Sequence, residues 1–60
     1  MGPKHYTIYW DNGRYVAIRE GKTRRNVAPY NCQTKRDAIQ AAREDRDALA
    51  EDGIKPNEAA

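Results

Sequence analysis

Tyr6-Thr7-Ile8-Tyr9-Trp10-Asp11-Asn12-Gly13-Arg14-Tyr15-Val16-Ala17-Ile18-Arg19-Glu20 is the stretch that decides the fold. Aromatic and β-branched residues flank Asp11-Asn12-Gly13, so it reads as two strands, Tyr6 to Trp10 and Arg14 to Glu20, joined by a tight reversal. Two registers are open to it. A three-residue turn with Gly13 in the left-handed conformation sets Trp10 against Arg14, Ile8 against Val16 and Tyr6 against Ile18, which gathers Ile8, Trp10, Val16 and Ile18 on one face. A two-residue Asn12-Gly13 turn sets Ile8 beside Ala17 and leaves Val16 and Ile18 opposite Tyr9 and Thr7. That splits the apolar set, so the first register is expected.

Further along, Gly21-Lys22 supplies a second reversal and Thr23 to Ala28 a third strand, ended by Pro29. Alternation then directs Val27 inward with Ile8, Val16 and Ile18. Tyr9, Tyr15, Arg19, Arg24 and Asn26 are left on the outer face. Thr34 followed by Asp37 is a variant capping box, and Lys35 to Asp52 contains no Gly, no Pro and one β-branched residue, Ile39. Gly53 and Pro56 mark its end. Ala38, Ile39, Ala41, Ala42 and Leu49 form a narrow stripe of mostly small residues, suited to a helix lying close across a sheet. The expectation is an α+β domain, a three-stranded antiparallel sheet packed by one C-terminal helix (β-β-β-α), over residues 4–53. Residues 54–60 are expected to be a flexible tail, and Trp10 the largest anchor of the core.

Sixty residues make one domain, and a domain of that size buries only about 60% of the surface its unfolded chain exposes. A single cysteine and a single histidine offer neither an internal disulfide nor a four-ligand zinc site, so no metal and no cofactor is expected. No stretch approaches the roughly 20 apolar residues of a membrane span, and Met1-Gly2-Pro3-Lys4-His5 lacks the apolar run of a signal peptide. A soluble cytoplasmic protein is expected. No nucleophile–base pair and no phosphate-binding glycine loop appears, which argues against an enzyme. His5 has no partner at ligand spacing, and Cys32 reads as a small buried hydrophobe.

Charge is distributed unevenly. Lys4, Arg14, Arg19, Lys22, Arg24, Arg25, Lys35 and Arg36 face only Asp11 and Glu20 in the first part of the chain. Beyond residue 36, Arg43, Arg46 and Lys55 face Asp37, Glu44, Asp45, Asp47, Glu51, Asp52 and Glu58. The net +2 thus conceals a basic and an acidic segment. Tyrosines interleaved with arginines and an asparagine on an open sheet combine π-surfaces with cationic donors, the groups that engage nucleic acids. Tyr9, Tyr15, Arg19, Arg24 and Asn26 on the sheet, with Lys22 and Arg25 on phosphates, form the candidate nucleic-acid site. Double-stranded DNA is the expected partner. The alternative is a protein partner, met through the tyrosine face or through Glu44, Asp45, Asp47, Glu51 and Asp52 on the helix, as an inhibitor of a nucleic-acid enzyme would do. An open edge at the third strand would allow a weak dimer.

Gly13-Arg14-Tyr15-Val16-Ala17-Ile18, Gly21-Lys22-Thr23-Arg24-Arg25 and Thr34-Lys35-Arg36-Asp37-Ala38 resemble the arm-type DNA-binding domain at the front of tyrosine integrases. In that family a glycine turn and aromatic strand precede a basic hairpin and a helix opening with Thr-Lys-x-x-Ala. The layout is also similar to the ethylene-response-factor type of domain, whose sheet sits in the major groove, and to small bacterial and phage-type proteins. The likeness spans roughly residues 6 to 44. It implies DNA reading by the exposed sheet, carried here by Tyr15, Arg19, Arg24 and Asn26, and a role as an accessory or regulator of a phage or mobile element. The acidic helix and the lack of a recombinase catalytic domain after it depart from the family.

Overall fold

A computed structural model describes residues 2–60. Strand β1, Tyr6–Asp11, pairs antiparallel with β2, Arg14–Glu20, and β2 pairs antiparallel with a short β3, Arg24–Asn26. The sheet order is β1-β2-β3, and helix α1, Lys35–Glu51, crosses one face. The expected α+β architecture is therefore present, with the third strand limited to the middle of its predicted span.

The register is the one rejected on the sequence. Asp11 stands opposite Arg14, Trp10 opposite Tyr15, Ile8 opposite Ala17 and Tyr6 opposite Arg19. Asn12 at φ 50° and Gly13 at φ 99° both take positive values, as in a two-residue turn whose twist matches that of the strands it joins. Turn chemistry outweighed the gathering of apolar side chains, and the helix explains why that was tolerable. Ala17, Ala38 and Ala42 are all fully buried in the core, so backbone meets backbone at close range through alanine methyls. Val16 and Ile18 on that face would hold the helix away. Tyr6, Ile8, Tyr15, Val27, Ala28 and Cys32 complete the core.

Three further expectations are corrected by this offset. Val16 and Ile18 lie on the face away from the helix, where Val16 is nonetheless 2% exposed at the centre of the sheet. Trp10 is no core anchor: it sits beside the turn, 54% exposed, edge-on to Tyr15 with ring centroids 5.1 Å apart. Tyr15 and Arg19 point to the helix side rather than outward, because they alternate with Val16 and Ile18.

Both helix ends are closed as the sequence indicated. The Thr34 hydroxyl accepts from the Asp37 N–H at 3.1 Å. At the other end Gly53 at φ 71° donates to the Ala50 carbonyl and Ile54 donates to that of Leu49, the paired bonds of a Schellman stop. The tail departs from expectation. Residues 54–60 fold back through a 3-10 turn at Pro56–Glu58 and dock on the β2–β3 turn, with the Lys22 N–H donating to the Ala59 carbonyl at 2.8 Å and Ala59 buried. Gly21 allows this approach: a Cβ there would lie 2.3 Å from the Ala59 carbonyl oxygen. Among the described residues, no helix is long and apolar enough to cross a membrane.

Candidate nucleic-acid interface

Arg19 decides what the sheet can offer. It is 5% exposed, and its guanidinium donates to both carboxylate oxygens of Asp45 at 2.9 Å and to the Ala60 main-chain oxygen at 3.0 Å. Tyr6 donates its hydroxyl to the same carboxylate. Burial of the phenol, reinforced by its bond to Asp45, holds the Tyr6 pKa well above the ordinary tyrosine value. One carboxylate thus ties β1, β2 and α1 together. The Arg19 Nε is the one buried side-chain polar atom without a partner among the described residues. Arg19 belongs to the scaffold, and the bare platform expected from Arg19 and Arg24 side by side does not exist.

Tyr9 and Arg24 remain on the open face. Arg24 pairs with Glu20 across the β2–β3 ladder, its Nε donating to one carboxylate oxygen at 2.7 Å and its Nη2 to the other at 3.3 Å. Thr7 adds a bond to Glu20 from β1 at 3.1 Å. The hydrogen bond from Arg24 lowers the Glu20 pKa, and the same bond raises that of Arg24. The fork that would grip a phosphate or a guanine edge is therefore already engaged. Asn26 is also spoken for: its side-chain oxygen accepts from the Ala17 and Ala28 N–H groups at 3.0 Å, replacing a main-chain acceptor where the ladder ends.

Lys22 and Arg25 are exposed, and among the described residues no carboxylate lies within ion-pair distance of either. Arg25 stands opposite Arg19, which puts it on the helix side of the sheet edge, whereas Arg24 leaves on the open side. The cations of this turn straddle an edge instead of paving a face.

The acidic helix is altered in the same way. Asp45 is withdrawn into the Arg19 pair, whereas Glu44, which accepts from Gln40, and Asp47, which accepts from Arg46, stay exposed along with Glu51 and Asp52. The Arg19–Asp45 pair was missed on the sequence, although a signal was there. Asp45 follows Ala38 and Ala42 on one helical stripe, the charged member of a row otherwise apolar, and such a residue calls for a buried cation.

Cys32 is buried, with its thiol 3.5 Å from the Thr34 carbonyl oxygen, and His5 is exposed at φ 74° just before β1. Among the described residues, no group of three or more His, Cys, Asp or Glu is placed to hold a metal ion. Comparison with protein-family models, curated proteins and solved structures gave no match.

Proposed function

We propose that this chain is a nucleic-acid-binding module that takes duplex DNA along the β2–β3 turn and the β3 edge. Lys22 and Arg25 make the phosphate contacts, Arg24 joins them from the open side when it leaves Glu20, and Tyr9 offers its ring on the open face of β1. The observation that carries the reading is the pair of exposed cations at one turn, Lys22 and Arg25, with no carboxylate among the described residues holding either. Unpaired cations on a folded edge are available to exchange a phosphate's counterions for themselves. Tyr15, Arg19 and Asn26 act as framework in this reading. It describes a binding module of the cytoplasm rather than an enzyme, and a place among accessory proteins of phage or mobile elements rests on the resemblance alone.

Salt dependence tests it. With about three phosphate contacts, fluorescence anisotropy on a labelled duplex should show affinity falling roughly 40-fold between about 50 and about 200 mM salt. The double change Lys22→Ala, Arg25→Ala should leave a fall of only about fourfold. Affinity that is indifferent to salt, or a slope untouched by the double change, rejects the site.

A further inference from the structure

β1 and β3 are both edge strands, but they are built differently. β3 has three residues, two of them arginines, which is how natural sheets discourage pairing with another chain. β1 has six residues, contains neither Lys nor Pro, and carries its one charge, Asp11, at its end. The Glu20 N–H donates to the His5 carbonyl at 2.8 Å, so along this ladder His5, Thr7, Tyr9 and Asp11 spend their main-chain groups on β2. Ile8 and Trp10 direct theirs to the far side, where no main-chain group among the described residues meets them. The same edge holds the only tryptophan, half exposed, in a molecule whose closest packing is done by alanines.

We propose that β1 pairs antiparallel with β1 of a second copy, making a six-stranded sheet with a two-fold axis at Tyr9. Ile8 then faces Trp10 of the second copy, and the two exchange the N–H and C=O groups that meet no main-chain partner among the described residues. Tyr9 faces its own counterpart on the open side, and Thr7 faces Asp11, so no like charges meet. The neighbouring registers fail. Setting Ile8 on Ile8 requires the Tyr6 N–H, which already donates to the Pro3 carbonyl at 3.2 Å. Setting Trp10 on Trp10 brings Ile8 against Asn12, which is in the turn at φ 50°. In the register that remains, each Ile8 covers the exposed indole of the other chain, which accounts for the position of Trp10.

Oxidative cross-linking of two cysteine variants tests this. Tyr9→Cys places two thiols directly opposite each other in a non-hydrogen-bonded pair, with Cβ atoms about 4.5–5.5 Å apart. Thr7→Cys places them four residues out of register, about 13 Å apart. Both positions are exposed, and the native Cys32 is buried. Tyr9→Cys should cross-link to a dimer and Thr7→Cys should stay monomeric. Sedimentation equilibrium should show a concentration-dependent dimer that Trp10→Lys abolishes. Equal cross-linking of the two variants overturns the register. A wild type that stays monomeric at millimolar concentration, with Tyr9→Cys uncoupled, overturns the proposal and leaves the edge to a strand from another protein. No nucleic acid enters the measurement, so its result is independent of the DNA reading.

Discussion

Asp45 is a partly buried carboxylate that pairs with the buried Arg19 and accepts from the Tyr6 hydroxyl. Removing one member of a buried ion pair leaves the other charge uncompensated, at a cost of about 3–5 kcal/mol. That is comparable to the whole stability available to a domain of this size. Asp45→Asn should therefore show no cooperative melt by circular dichroism at room temperature, whereas Tyr6→Phe, which spares the ion pair, should lose only about 1.5 kcal/mol. A folded Asp45→Asn with unchanged Tm contradicts the pairing. The raised Tyr6 pKa also has a pH signature. A group whose folded pKa lies above its unfolded value contributes stability below the latter, about 10 for tyrosine, and loses it as the pH rises further. The wild type should weaken above pH 10 more steeply than Tyr6→Phe in urea titrations across that range.

At the scale of elements, the legible features were those decided locally. Helix α1 spans Lys35–Glu51, between Thr34 and Gly53, because an N-cap hydroxyl, a span of helix formers and a left-handed glycine each act within one turn. The hairpin was also legible, but its register was not, since two local preferences disagreed and a contact far along the chain settled them. Ala17 had to meet Ala38 and Ala42, and Arg19 had to meet Asp45. The site was less legible than the fold for the same reason: a one-residue offset moves every strand residue to the other face, carrying Tyr15 and Arg19 inside. The docked tail was missed because its signal is a glycine without side chain rather than an apolar run. Gly21→Ala should displace it, since the new methyl would also lie 2.7 Å from the Pro56 carbonyl oxygen. Hydrogen exchange at the Lys22 amide should speed up while the α1 amides keep their protection; an unchanged Lys22 rate would show that the tail does not depend on this approach.

For the molecule as a whole, the charge asymmetry of the sequence survives folding in reduced form. Arg19 is neutralised inside and Arg24 is braced by Glu20, so among the described residues Lys22 and Arg25 are the cations of the β2–β3 turn left without an ion pair. Glu20 then acts as a brake on that turn. Glu20→Gln should tighten binding to duplex DNA at an unchanged salt slope, because Arg24 then reaches its phosphate without first leaving a carboxylate. Arg24→Ala should cost more in that background than in the wild type, the non-additivity expected of residues in direct contact. The most direct measurement is a titration of the labelled protein with duplex DNA followed by amide chemical shifts. Shifts concentrated at residues 20–26 and Tyr9, fading as salt is added, are the predicted result. Shifts confined to the acidic helix, or none at all, would contradict it.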